Sequence, residues 1–423
     1  MVVDRWQHYQ GKPNDAVELT RKTLALVLAS GEGASLGELT AWRAKASLHF
    51  GGNYRLVDFA LSNCVNSGIR RIGVLTQYKS HSLIRHLQRA WGFMRAGSGE
   101  FIEILPAQQR TIQKRWYQGT ADALFQNLDI IQRHHHDYVL VVNGGHVYTM
   151  NYAKMLRMHV RSGADATVGC IDMPVGQASS SGVLSVDGNM RITRFTKPPP
   201  VLDGVSAQLD RVLVPTGVYI FSRDFLYGLL YEDAAKSRSS HDFINDIIPS
   251  IIHCAKVLAF PFRSDDGEPI YWRDVGTVDA YWQTNVDLCS TIPPLNLYDY
   301  DWPIWTYQHH CPPTKILAGD NGRRGGAIDS LTSGGCVLSG ALTERSLVFF
   351  STMIGSHSEV KDSVVLPRVS IGKNCRITKA IIDKGAIVPD GMVIGEDLGL
   401  DRQRFRVTTD SVVLVTRGML EAI

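Results

Sequence analysis

The sequence has no uninterrupted apolar run near the ~18 residues that a membrane-spanning helix needs, so neither a helical span nor a membrane partner is expected. It has no C-x-x-C pair. Its seven cysteines, Cys64, Cys170, Cys254, Cys289, Cys311, Cys336 and Cys375, are scattered and odd in number. That pattern favours reduced thiols in a cytoplasm over a disulfide or zinc framework. It has no large excess of one charge: 44 Lys plus Arg face 41 Asp plus Glu, for a net +3. A nucleic-acid partner is therefore not expected. It also lacks compositional extremes, at 44% hydrophobic, 20% charged and 9% aromatic. Disorder, collagen-like repeats and a small disulfide scaffold are excluded. The opening stretch MVVDRWQHYQGKPNDAVELTRK is polar, without the apolar segment of a signal peptide. The expected location is cytoplasmic.

What is present is a chain of 423 residues, long enough for two or three domains of roughly 150 residues each. Such a chain buries about three quarters of its unfolded surface and needs no metal to hold a core. Charge is uneven locally. Between Arg43 and Arg95 lie Lys45, Arg55, Arg70, Arg71, Lys79, Arg85 and Arg89, opposed only by Asp58. This is either a solvated face or a surface for small anions such as sugar phosphates.

The chain divides by texture. Residues 1–21 form an N-terminal extension. From 22 to 290, short apolar runs alternate with helical segments. Leu24–Leu28, Ile72–Leu75, Tyr138–Val142, Ala166–Ile171 and Val218–Phe221 read as buried strands, and Asp58–Ser67 and His81–Trp91 as helices. The alternation predicts an α/β fold, with a mostly parallel sheet, helices on both faces and ligands beyond the carboxyl ends of the strands. Residues 291–314, with five prolines, form a stiffened linker. From 315 to 423, Val365, Ile371 and Ile377 are six apart; after a phase shift, so are Ile381, Ile387 and Val393. A six-residue apolar period with interleaved glycines predicts a left-handed parallel β-helix, with ordinary edge strands as the alternative. Such solenoids often drive oligomer assembly.

The first strand runs into Ala29-Ser30-Gly31-Glu32-Gly33-Ala34-Ser35-Leu36. A glycine-rich turn there lets backbone N–H groups approach phosphate oxygens. It is neither a P-loop nor a full G-x-G-x-x-G, and a purely structural turn explains it as well.

Longer runs carry a resemblance. Arg43-Ala-Lys45, His49-Phe-Gly-Gly52, Tyr54-Arg-Leu-Val-Asp58, Thr76-Gln77-Tyr78-Lys79, Leu105-Pro-Ala-Gln-Gln-Arg110, Trp116-Tyr-Gln-Gly-Thr-Ala-Asp122, Ser239-Ser-His-Asp-Phe243 and Tyr271-Trp-Arg-Asp-Val-Gly-Thr277 closely resemble bacterial ADP-glucose pyrophosphorylase, or glucose-1-phosphate adenylyltransferase. The similarity spans nearly the whole chain. It implies a Rossmann-like nucleotidyltransferase domain before the β-helix. It implies joining of ATP and glucose 1-phosphate into ADP-glucose and diphosphate in glycogen biosynthesis. It implies Mg²⁺, a homotetramer or heterotetramer, and regulation by sugar-phosphate activators and AMP-type effectors. The phosphate oxygen attacks the α-phosphorus, so the protein's task is positioning and charge neutralisation.

By resemblance, the nucleotide would contact Leu28, Ala29, Gly31, Gln77, Gly119, Thr120 and Ala121. Glucose 1-phosphate would contact Tyr117, Gly182, Lys197 or Pro198, Pro215 and Asp242; Asp274 would hold metal; Arg43, His49 and Arg55 would bind anionic effectors. Several positions depart from the family pattern. Two loop arginines are Glu32 and Ser35, and one of two metal-binding aspartates is Gly145. Pro215 replaces a serine. The sugar-phosphate lysine falls on Pro198 without a gap, or on Lys197 with a one-residue deletion. Trp42 stands where the family has an activator-binding lysine. At ~4 Å and an effective dielectric near 20, each lost charge pair removes about 4 kcal/mol before desolvation.

Other residues have plainer readings. His134-His135-His136 is a solvated helix end rather than a metal tract, Asp122 fixes a loop, and Trp272 and Arg273 pack beside Asp274. The departures cluster on the triphosphate loop, one metal ligand and the sugar phosphate. Three readings stay open: a catalytically impaired modulatory subunit, a working transferase with compensating residues, and a sugar-phosphate or nucleotide sensor.

Overall fold

The computed structural model describes residues 13–94, 99–107, 116–175, 178, 182–197, 211–264, 266–319 and 325–423. Pro198 and Ser181 lie outside them, as do Gln108 to Arg115.

The strand Thr23–Ala29 (TLALVLA) is apolar almost throughout, and all seven residues are buried. A run of this kind suits a strand covered on both faces. It pairs in parallel with Arg71–Thr76 on one side and Tyr138–Asn143 on the other. Arg71–Thr76 pairs in parallel with Phe101–Pro106 in turn. At Arg211–Ser222 the sheet changes character, since this strand is antiparallel to Tyr138–Asn143 and Ala166–Pro174. Its register shifts between Pro215 and Val218. Helices Leu56–Asn66 and His81–Ala90 form where the sequence places them, and Pro13–Arg21 is a helix within the N-terminal extension.

The linker is ordered by its polar contacts to helix Leu56–Asn66. Trp302 Nε1 donates to Asn63 Oδ1 (2.9 Å), and Trp305 Nε1 donates to Asn66 Oδ1 (3.0 Å). Thr306 Oγ1 donates to Asp58 Oδ2 (2.7 Å), and Asn66 Nδ2 donates to the Pro303 carbonyl (2.9 Å).

The C-terminal part is a left-handed parallel β-helix of three strand files. Met353 pairs with Ser370, and Ser370 with Ile387, while the Ser358 hydroxyl meets the Cys375 N–H of the next coil 17 residues on. A coil of 17 residues has two sides of six and one of five. The inward-facing series therefore winds through the three files in turn, at Val365, Ile371, Ile377, then Ile382, Val388 and Ile394, each at most 2% exposed. The second apolar series read from sequence is one residue out of phase. Ile387 is 67% exposed, and Ile381 is buried against the other domain. Helix Leu398–Arg404 interrupts the last coil before Val413–Val415 pairs with Ala380–Ile382.

The domains share a core. Leu36, Phe50, Phe59 and Tyr281 pack with Leu347, Phe349, Leu366 and Leu414. Polar ties surround it. The Trp282 indole donates to the Asp362 carbonyl (2.7 Å), and Arg406 pairs with Glu38 (3.0 Å). The Arg43 guanidinium meets both oxygens of Asp383, at 2.8 and 2.7 Å. Their side chains are only 11% and 10% exposed.

Arg43 Nη1 already lacks a partner among the described residues. Asp383→Ala would leave the whole guanidinium buried and unpaired, which costs about 3–5 kcal/mol. Scanning calorimetry is expected to show a clearly lowered unfolding midpoint. Glu421→Ala, which breaks the exposed Arg417–Glu421 pair, should leave it unmoved. Equal midpoints for the two variants would remove Arg43–Asp383 from the ties that hold the domains.

Candidate active site

A cavity of about 430 Å³ opens beyond the carboxyl ends of Thr23–Ala29 and Tyr138–Asn143. The strand ends bring Leu28, Ala29 and Asn143 to it, and Gln77 follows the neighbouring strand. The turn from Ser30 to Ser35 forms one wall, with Gly33 in the left-handed region (φ 67°). Glu32 and Ser35 lie on this wall and are exposed.

The opposite wall is Tyr117 to Thr120 with Asp242. Gly119 is required there: a Cβ would sit 2.2 Å from the His241 carbonyl oxygen. That carbonyl accepts the Ala121 N–H (2.8 Å), and Thr120 Oγ1 donates to Asp242 Oδ2 (2.9 Å). Asp242 also caps its own segment, accepting from the N–H groups of Ile244 (2.9 Å) and Asn245 (3.0 Å). Gln77 Oε1 holds the Tyr117 N–H at 2.6 Å. The Tyr117 hydroxyl is turned inward, accepting from Asn127 Nδ2 at 2.8 Å. Asp122 accepts from Gln118 N and Gln126 Nε2, fixing the loop.

Not every residue named from sequence reaches this cavity. Ala121 is buried behind it. Gly182 lies under the Phe195 ring, where a Cβ would be 2.2 Å from the ring. Pro215 sits at the strand irregularity opposite Cys170. Lys197 is exposed. Burial pushes the Asp246 carboxyl up, but the hydrogen bonds from Ser240 and the backbone, with a smaller contribution from the Lys197 charge, hold it below its usual range. Pro198 falls outside the described residues.

At the back of the cavity, Asp274 lies opposite His146, because Trp272–Asp274 pairs antiparallel with His146–Tyr148. The Asp274 carboxylate is 2.8 Å from Lys45 Nζ and 3.5 Å from His146 Nε2. Burial pushes the Asp274 carboxyl up, but His146 and the Lys45 ammonium outweigh it and hold it below the usual carboxylate range. His146 Nδ1 donates to the Thr216 carbonyl (3.1 Å), and burial takes the imidazole down to about 4. Gly145 N–H is held by Asn143 Oδ1 at 2.8 Å. A Cβ on Gly145 would lie 2.7 Å from Lys45 Cε. Lys45 therefore fills the space that a side chain at 145 would take. Among the described residues lining the cavity, it is the only Lys or Arg. The sequence shows Lys45 inside a matched motif, but nothing in its spacing marks it as the partner of Asp274.

A second cavity, of about 120 Å³, lies where both domains and the linker meet. His49 and Arg55, a cross-strand pair, reach it, as do Arg85 and Arg89 from one face of helix His81–Ala90. Arg368 and Lys384 come from β-helix corners, and His309 of the linker stacks on Phe350 at 3.9 Å. Burial, reinforced by Arg55, Arg43, Arg368 and Arg85, takes Lys384 down to about 8. Burial takes Arg55 to about 10 and His309 to about 4, and holds His49 well below its usual value. Asp58 is fully buried behind the wall, bonded to His86 (2.7 Å) and Trp91 (3.0 Å). Arg43 does not line this cavity; Asp383 holds it instead. The charge run from 43 to 95 carries Arg85 and Arg89 at helical spacing. Arg368 and Lys384 lie in the β-helix, too far along the chain for that signal.

The histidine tract lies beyond the end of helix Leu128–Ile131, and of its three residues His135 alone is exposed. His134 stacks on Phe101 (4.5 Å) and meets Glu103 (3.0 Å), and buried His136 bonds the Tyr227 hydroxyl (2.9 Å).

Comparison with known proteins agrees with this architecture. The nucleotidyl transferase family model matches residues 24–291, and the GlmU-like C-terminal hexapeptide model matches 312–415. Glucose-1-phosphate adenylyltransferase of Thiobacillus denitrificans is 63% identical over 416 residues, spanning 98% of this chain and 95% of its own. The chain belongs to the glucose-1-phosphate adenylyltransferase family. The Hydrogenovibrio crunogenus member is 58% identical over 413 residues, covering 97% of this chain and 98% of its own. Glucose-1-phosphate adenylyltransferase 2 of Alkalilimnicola ehrlichii is 54% identical over 409 residues, covering 96% of each.

The family resemblance implies Mg²⁺, and the residues here do not fit a protein-held Mg²⁺. Such an ion needs near-octahedral oxygen ligands. Position 145 offers none, Asp242 is committed to its cap, and Asp274 already carries an ammonium 2.8 Å away. A dication 4 Å from that ammonium is repelled by about 8 kcal/mol at an effective dielectric of 20. Among the described residues, there is no group of three or more His, Cys, Asp or Glu placed to hold a metal ion. No described helix is long and apolar enough to cross a membrane.

Proposed function

We propose that this family member is catalytically impaired and serves as a modulatory subunit, carrying an effector cavity into an assembly with an active homologue. The relatives' name denotes transfer of an adenylyl group to glucose 1-phosphate. In that reaction a phosphate oxygen attacks the α-phosphorus and diphosphate leaves. The demand on the protein is positive charge around a polyanion. The observation that carries the reading is the Lys45–Asp274 pair in the space beside Gly145. Among the described residues, one cation faces Glu32, Asp242 and Asp274, so that part of the wall is net negative where the reaction needs the reverse. The Thiobacillus relative's 63% identity and its name favour a second reading, a working glucose-1-phosphate adenylyltransferase.

The effector part rests on the second cavity. Among the described residues, Arg55, Arg85, Arg89, Arg368 and Lys384 converge with no carboxylate in the lining, and the buried His49 Nδ1 lacks a partner. A sugar phosphate or AMP-type ligand suits that chemistry. Ligand here would touch both domains and the linker at once. For assembly, the outer β-helix file presents Met353 and Ile387, which are 56% and 67% exposed.

Assayed alone with ATP, glucose 1-phosphate and Mg²⁺, the purified protein is expected to turn over at least about a thousandfold below an active homologue, since each 1.4 kcal/mol is tenfold. Mixed with that homologue, it should change the activator response. Ordinary turnover alone selects the second reading. The effector cavity makes a separate pH prediction. Lys384 is charged below about 8 and neutral above it, while burial keeps His49 and His309 neutral across that range. Sulfate, whose charge is fixed, should bind more weakly as pH rises from about 7 to about 9. Lys384→Gln should flatten that slope. Calorimetry giving the same slope in both proteins contradicts this.

A further inference from the structure

The main cleft presents an unusual set of charges. Lys45 is its one described Lys or Arg, while Glu32 and Asp242 lie in the lining and Asp274 stands behind. Lys45 is fixed at both ends of its side chain. Its Cβ lies against Gly33, where an added Cβ would come within 3.1 Å of it, and its Nζ sits on Asp274 at 2.8 Å. Its methylenes take up the volume beside Gly145, whose backbone is pinned by Asn143.

We infer that this cleft binds a nucleoside diphosphate ester without a divalent cation, the Lys45 ammonium supplying the positive charge. The inference rests on the reading that the chain's own chemistry is impaired. Lysine suits the task because its ammonium is a point charge on a flexible four-carbon stem. The Asp274 side chain is 48% exposed, so water can replace the ammonium when Lys45 turns toward a phosphate. The ammonium thus exchanges one anionic partner for another, with no net desolvation of a carboxylate. The cleft walls set the ligand class. With carboxylates outnumbering cations among the described residues, a diphosphate ester is tolerated better than a metal-free triphosphate, which carries more charge than one lysine can offset. Glu32 on the glycine-rich wall adds to that preference.

Isothermal calorimetry on the full chain tests this with ADP-glucose and ATP, each in EDTA and in excess Mg²⁺. ADP-glucose is expected to bind in EDTA within about threefold of its affinity in Mg²⁺, and more tightly than ATP in EDTA. Lys45→Met should weaken ADP-glucose in EDTA by about tenfold or more, and Lys45→Arg should recover part of the loss. Gly145→Asp displaces Lys45 from its present volume and adds a carboxylate, so its ADP-glucose binding should come to need Mg²⁺. ADP-glucose binding by the unsubstituted protein only in Mg²⁺, or in neither buffer, overturns the inference, as does unchanged binding by folded Lys45→Met. The unsubstituted comparison decides even if a variant fails to fold. Because binding is read without turnover, the inference can fail while the impaired-subunit reading stands. Ordinary turnover in Mg²⁺ strikes that reading instead.

Discussion

Counter-charge is the constraint on which the cleft depends. A site for phosphate esters works only if its cations outnumber, or at least match, the anions they meet. Here the nucleotidyl transferase sheet forms as its apolar strands dictate, and its strand ends bring the glycine-rich turn, Gly119 and Asp274 to one region. The scaffold is intact. On it, Lys45 rests against Asp274 and occupies the space that a side chain at position 145 would take. The position without a side chain thus offers no oxygen ligand of its own and leaves room for the ammonium beside the neighbouring carboxylate.

The two cavities are opposites. Among the described residues, the first has one cation among carboxylates; the second has five cations and no carboxylate in its lining. The second survives because fold-bearing elements build it. Helix His81–Ala90, the His49–Arg55 hairpin pair and the β-helix corners all have structural duties of their own. Asp58 shows the coupling well, as one buried carboxylate caps a helix, holds His86 and Trp91, and receives Thr306 of the linker. A ligand bridging that junction would reach both domains through packed groups, while the first cleft carries Lys45 as its one described cation on an intact sheet.

Legibility followed the range of the physical signal. Buried strands such as Thr23–Ala29 declare themselves through local composition, and the sequence places helices Leu56–Asn66 and His81–Ala90 closely. The β-helix is visible as a six-residue period, but a coil of 17 carries one side of five. That single residue moves Ile387 outward and brings Ile382, Val388 and Ile394 inside. The glycine-rich wall, Gln77, Gly119 and Asp242 are readable through matched motifs. Arg43 is readable as a cation but not as the partner of Asp383, 340 residues away. Arg368, Lys384 and the Lys45–Asp274 contact depend on the same long-range closure, which no local pattern encodes.

The central claim is that an ammonium stands where a metal ion would otherwise be held. Electron paramagnetic resonance of Mn²⁺ mixed with the nucleotide-free protein tests it most directly. The account predicts that the aqueous manganese signal persists undiminished as protein is added. Loss of that signal in proportion to protein would show a metal bound at the cleft, and would contradict the account.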